Sequence, residues 1–128
     1  MKVEVGMKAE VTTLVEREDT AAEVDSGSLL VYATPCMAAL MEGAACEAIA
    51  DALEEGETTV GIELNLKHIA ATPVGMEVRA EAEVTAVEGK IITFTINAYD
   101  EAGQIGSADH KRALVNAQRF LDKTYAKL

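Results

Sequence analysis

The chain reads as an α+β domain in which an antiparallel sheet wraps around one long central α-helix. Two features point there. One apolar run carries helix-start chemistry, from Thr34 to about Leu53, and it is followed by four strand-like segments separated only by short turns. With 128 residues the chain can bury one core and not two, and it contains no repeat, low-complexity tract or linker, so residues 1–128 are expected to form a single domain.

In chain order, Met7 to Glu16 is rich in Val and Thr and suits a strand, whereas Arg17 to Ser28 ("REDTAAEVDSGS") is polar and irregular and predicts a loop. Thr34-Pro35 starts the helix, with Thr34 at the N-cap and Pro35 at the first helical position; Glu54, Glu55 and Gly56 close it. Thr58 to Ile69 alternates, with Val60, Ile62, Leu64 and Leu66 on one face and Glu63, Asn65 and Lys67 on the other, which is the pattern of a half-buried strand. Ala70 to Gly75 is turn chemistry. Met76 to Val87 and Lys90 to Asp100 predict two strands joined at Glu88-Gly89, and Asp100 to Gln104 turns into a last strand from about Ile105 to Ala117.

Composition narrows the function. Hydrophobic residues at 49% and charged ones at 26% fit an ordinary soluble domain. A net charge of −11 argues against nucleic-acid binding, which needs clustered Lys and Arg, but leaves room for a phosphorylated small molecule held by a few local cations. No apolar run reaches the ~18–20 residues that span a bilayer, and the start "MKVEVGMKAE" lacks a signal segment, so no membrane association and a cytoplasmic location are expected. Cys36 and Cys46 would lie ~15 Å apart on the helix, beyond disulfide reach and without zinc-ligand spacing; both are read as small buried hydrophobes, and no metal is expected.

Within the helix, Glu42 is the single ionisable residue between Pro35 and Cys46, and its helical neighbours Ala38, Ala39, Ala45 and Cys46 are small and apolar. At roughly 100° per residue it lies opposite Asp51, away from the wet side. A carboxylate placed there loses water, which either reflects hydrogen bonds to a strand or partner subunit or marks a functional site. His68 continues the inward register of Leu64 and Leu66 and is directed into the same layer, where a carboxylate could orient it as a general base. Thr34 sits at the helix N-terminus, where its hydroxyl either caps the backbone or joins a site beside free N–H groups suited to an oxyanion. Thr34 and Glu42 are eight residues apart, ~12 Å along the helix, so a site using both needs His68 or substrate between them, or a second subunit. His110, in "SADHKRALV", is read as a surface or interface residue.

These residues carry a specific likeness. "YATPCMAALMEGAACEAI", "GIELNLKHIAATPVG" and "GQIGSADHKRALV", in that order, resemble the fluoroacetyl-CoA thioesterase family of the hot-dog superfold over most of the chain from Thr34 onward. The resemblance implies a homodimer of hot-dog units that hydrolyses a small acyl-CoA, with coenzyme A entering as part of the substrate and no separate cofactor. It places the family's catalytic threonine, glutamate and histidine on Thr34, Glu42 and His68, its glycine near the acyl group on Gly61, and its last-strand arginine on Arg112, as a candidate for binding the coenzyme portion. One departure stands out: the family's aromatic lid before the helix has no counterpart in "TAAEVDSGSLLVY" (Thr20 to Tyr32), which has no phenylalanine, so fluoroacetyl selectivity is not expected.

The expected chemistry is attack on a thioester carbonyl, with His68, oriented by Glu42, activating either a water or the Thr34 hydroxyl. Backbone N–H groups near the helix start or Gly61 would stabilise the oxyanion. Two other readings stay open at this level: a non-catalytic hot-dog protein binding acyl-CoA or another small ligand, and a hot-dog dehydratase acting on a hydroxyacyl thioester.

Overall fold

The computed structural model describes residues 1–128. The elements run β1 (Lys8–Leu14), a 3-10 turn at Arg17–Asp19, α1 (Thr34–Ile49) with a tightened last turn at Ala50–Ala52, β2 (Glu57–His68), β3 (Glu77–Glu88), β4 (Ile91–Asp100), β5 (Gln104–Asn116) and α2 (Ala117–Tyr125). The strands form one five-stranded sheet in the order β1-β3-β4-β5-β2, every pairing antiparallel. The predicted α+β architecture is therefore the observed one; the C-terminal helix α2 was not anticipated.

Strict period-two burial in β3 and β4 builds the inner face of the sheet, with Val78, Ala80, Ala82 and Val84 beside Ile92, Phe94, Ile96 and Ala98. Against it α1 lays Met37, Met41, Ala44, Ala45 and Ile49. Each large side chain fully removed from water here stabilises by about 1.5–3 kcal/mol. Small residues on β3 let the helix lie close across β1 and β3, while β2 and β5 extend past it. No helix is long and apolar enough to cross a membrane.

The strand β2 departs from its predicted alternation. Its ladder with β5 slips between Gly61 and Glu63, leaving Ile62 as an extra, unpaired residue that is 53% exposed. The bulge changes the phase of the strand. Leu64, Leu66 and His68 face the helix layer as expected, but ahead of the bulge it is Thr59 and Gly61 that do so, and Val60 between them points away. A regular alternation would have set two aliphatic side chains where the structure has a hydroxyl and a bare Cα.

Candidate active site

At its N-terminal end, α1 begins differently from its sequence signature. The N-cap is Ala33 and makes no side-chain cap, so Thr34 is the first helical residue and Pro35 the second. The Thr34 hydroxyl is thereby free of capping duty, and it lies 2.8 Å from Nδ1 of His68. Several contacts fix this meeting. Ala33 N–H donates to the Asp19 carbonyl (2.9 Å), Tyr32 N–H to the Thr72 carbonyl (2.9 Å), and Thr72 Oγ1 to Asp100 (2.8 Å), which ties the helix lead-in to the turn after His68. One turn into the helix, Met37 rests on Gly106, the residue paired with His68; a Cβ there would lie 2.7 Å from the Met37 methyl carbon. Glycine at 106 lets the helix start approach the end of β2.

His68 is half-buried, and burial lowers its pKa below the ordinary histidine value, with the backbone of Ala70 partly opposing the shift. Its Nε2 is buried and has no hydrogen-bond partner, while the edge of its ring system meets Tyr32 at 6.5 Å. Beside the pair opens a cavity of about 300 Å³, whose walls include Ala21, Ser26, Val31, Tyr32 and Ile69. A neutral imidazole against a hydroxyl, at the mouth of a mostly apolar cleft, is the arrangement for activating an oxygen nucleophile.

Glu42 is elsewhere. Its Oε2 accepts from the Arg112 guanidinium at 2.8 Å and lies above Gly61, where a Cβ would come within 2.5 Å of it. Arg112 is buried on β5 and all three of its nitrogens are engaged: Nε bonds the Thr59 hydroxyl (2.9 Å), one terminal nitrogen bonds the Thr59 carbonyl (3.2 Å), and the other reaches both Glu42 and Nε2 of His110 (3.1 Å). His110, only 1% exposed, completes the cluster through Nδ1 to the Glu63 carbonyl at 2.7 Å and packs near Phe94.

The five residues singled out in the sequence thus form two groups, Thr34 with His68 and Glu42 with Gly61 and Arg112. Six residues of β2 lie between Gly61 and His68, one of them the extra residue of the bulge, which puts the two about 20 Å apart along the strand. Within one chain Glu42 therefore does not orient His68; Arg112 takes its carboxylate instead. Glu42 is also wetter than an apolar run suggested, its side chain being 41% exposed, because the helix overhangs the uncovered part of β2 and β5. Arg112 is turned inward, onto Thr59, Glu42 and His110. His110 was misread as a surface residue. Strand alternation could have found it: Ala108, His110 and Arg112 share one face of "SADHKRALV", and Asp109 and Lys111 the other. Cys46 is exposed rather than buried, and Cys36 is half-buried, where burial, aided by Asp19, pushes its thiol up.

Comparison with known proteins gives a consistent result. The profile of the FlK family, described as fluoroacetyl-CoA-specific thioesterase, matches residues 15–118. A fluoroacetyl-CoA thioesterase of Streptantibioticus cattleyicolor is 39% identical over 97 residues, which is 76% of this chain and 70% of that protein. A crystal structure of a variant of the fluoroacetyl-CoA-specific thioesterase FlK superposes with a TM-score of 0.92 at 32% identity, covering 98% of each chain. Another, in complex with fluoroacetate and CoA, gives 0.87 at 32% identity over 92% of this chain and 99% of that one. A Thermus thermophilus protein of the thioesterase superfamily gives 0.85 at 29% identity over 98% of each chain.

Proposed function

This chain belongs to the hot-dog family of the fluoroacetyl-CoA-specific thioesterase FlK, and from that membership together with the Thr34–His68 contact we infer that it hydrolyses acyl-CoA thioesters. The contact carries the reading. A hydroxyl 2.8 Å from a neutral imidazole, beside an open cleft, is the arrangement that activates an oxygen nucleophile for acyl transfer. His68 takes a proton from the Thr34 oxygen or from a water held by it, that oxygen attacks the carbonyl, and the coenzyme leaves as its thiol. Water supplies the hydroxyl of the released acid. The acyl group lies in the cavity walled by Ala21, Val31 and Ile69, where no aromatic lid closes over it, so fluorine is not selected.

The working unit of this reading is a homodimer. The strand β2 forms one edge of the sheet, and beside it α1 exposes the small residues Pro35, Ala39, Gly43 and Cys46 at helical spacing. Antiparallel pairing of two β2 edges about an axis at Asn65, with Ile62 left out of register as it is in the ladder with β5, would set Gly61 opposite the partner subunit's His68. Glu42, with its carboxylate over Gly61, would then serve the Thr34–His68 pair of the other protomer, and the two groups separated by about 20 Å within a chain would meet across the interface.

Free CoA thiol released from a panel of short, branched, aromatic and fluorinated acyl-CoAs tests the activity. Mixing tests the shared site: Thr34→Ala and Glu42→Ala, each inactive alone, are refolded together. Random exchange makes about half the dimers mixed, each with one complete site of two, so about a quarter of wild-type turnover returns. If the mixture stays as inactive as its components, the site lies within one chain.

A further inference from the structure

We propose that His110 is a positioning residue for the reaction inferred above, a fixed acceptor that holds the Arg112 guanidinium, and through it the Glu42 carboxylate, over Gly61. No part of the chemistry assigned to Thr34, Glu42 and His68 accounts for an imidazole that is 1% exposed, hydrogen-bonded at both nitrogens, and placed against the only arginine that touches Glu42.

The network fixes its proton. A guanidinium has donors and no acceptor, so His110 Nε2, 3.1 Å from Arg112, must accept. The ring proton therefore resides on Nδ1 and is donated to the Glu63 carbonyl at 2.7 Å. The Nε2 of His110 also lies 3.8 Å from Glu42, too far for a hydrogen bond, so the carboxylate does not compete for this assignment. Arg112 and Glu42 are the charged groups that face the ring; β4 contributes the Phe94 ring at 5.9 Å and β2 the Glu63 carbonyl. Burial and the Arg112 charge both favour the neutral ring, outweighing the Glu63 carbonyl and Glu42.

Location gives the contact its purpose. Glu63 is the first paired residue after the bulge at Ile62, and Gly61 is the last before it. His110 thus links the two sides of the irregularity, one nitrogen on the strand beyond the bulge and the other on the arginine seated before it. Without the acceptor, Arg112 keeps its bonds to Thr59 but the nitrogen that reaches Glu42 loses its second anchor. The carboxylate then samples positions away from its site.

Two substitutions separate this role from packing. His110→Phe keeps a flat ring beside Phe94 and removes the acceptor; His110→Gln keeps an acceptor within reach of Arg112. His110→Phe is expected to lower kcat about tenfold, the worth of one hydrogen bond, with KM little changed, and His110→Gln to recover most of the loss. Equal losses in both folded variants, or none in either, would overturn the proposal. Nitrogen-15 spectra of the unmodified protein give a readout independent of activity and of whether the variants fold. His110 is expected as the neutral Nδ1–H tautomer at pH 7, with slowly exchanging Arg112 side-chain N–H resonances. A ring protonated on Nε2 refutes the proposal even in an active enzyme, whereas the expected tautomer in a protein that hydrolyses no acyl-CoA would count against the thioesterase reading and leave the network standing.

Discussion

Gly61 gives the sharpest test of the Glu42 cluster. A Cβ built on it would lie 2.5 Å from Glu42 Oε2, 3.3 Å from the Arg112 terminal nitrogen and 3.4 Å from a His110 ring carbon. The last two are tight but tolerable; the first is not. Relieving it to the 3.4 Å of an ordinary contact needs a displacement of 3.4 − 2.5 = 0.9 Å by the carboxylate. Moved directly away from the Cβ by that much, Glu42 would stand about 3.1 Å from Arg112 instead of 2.8 Å, so the bond is stretched and weakened rather than broken. A charge-assisted bond is worth about 1.5–3 kcal/mol, and the 41% exposure of Glu42 roughly halves that through solvent screening, so stretching it costs at most about 1 kcal/mol. Against this, replacing glycine in a strand lowers the entropy of the unfolded chain and stabilises by about 0.5–1 kcal/mol.

The two effects nearly cancel in Gly61→Ala alone, so the informative quantity is the coupling. In a Glu42→Ala background there is no carboxylate to displace, and Gly61→Ala should stabilise. The cycle should therefore show an interaction of up to about 1 kcal/mol, which for a chain of this length separates the melting-temperature changes in the two backgrounds by up to about 4 °C. Turnover should respond more strongly, because a catalytic group misplaced by about 1 Å costs about a hundredfold. Thermal melts of the four proteins and thiol release from wild type and Gly61→Ala are the assays. Additive stability effects together with undiminished turnover in Gly61→Ala would refute the close approach of Glu42 to this strand.

Two further outcomes follow from the same geometry. His68→Ala should fold and lose turnover by about a hundredfold or more. In the wild type, burial holds His68 below the ordinary value near 6.5, so kcat/KM should persist somewhat below that pH and decline as pH falls through the lowered value; a decline centred above 6.5 would contradict it. The same sign applies to stability. His68 and His110 both titrate below their unfolded value, so their contribution is full above about 6.5 and is lost as pH falls through the folded values, which melts across pH 5 to 8 would follow. Arg112→Lys, deprived of the fork that holds Thr59 and Glu42 together, should lower kcat and the melting temperature while leaving the KM for acyl-CoA within about twofold. A large rise in KM alone would return Arg112 to the coenzyme.

Local signals in the sequence located the helix, all five strands and the residues that deserved suspicion. Glu42 could be noticed because a carboxylate in an apolar helical run is costly, and His68 because it ends a period-two strand. The partner of Glu42 within the chain lies 70 residues away on β5, a distance no local pattern spans, so its bond to Arg112 was not legible. Thr34-Pro35 has the signature of a cap, yet Ala33 takes the N-cap position, and only the tertiary placement of His68 decides where the hydroxyl goes. The C-terminal helix did have a local signal: Asn116 accepts from Arg119 N–H at 3.0 Å, a side-chain cap directly before an amphipathic segment. The bulge had none, because Val60, Ile62, Leu64 and Leu66 alternate without a break through it.

That bulge explains how one edge strand can carry two different ends of a site. In unbroken alternation with Leu64, Leu66 and His68, the inward residues nearer the start of β2 would be Ile62 and Val60. Two branched side chains there would occupy the space now filled by the Arg112 guanidinium and the Glu42 carboxylate. One extra residue shifts the phase and brings in Thr59, whose hydroxyl and carbonyl both accept from Arg112, and Gly61, whose missing Cβ admits Glu42. Past the bulge the apolar register resumes and runs to His68. The strand is consequently a polar cradle at one end, a packed surface in the middle and a histidine at the other end. The homodimer proposed above pairs such a strand antiparallel with its own copy, an operation that brings unlike ends together. A chain that completed its site alone would need the carboxylate and the histidine at the same end of the strand, and here their seats are about 20 Å apart.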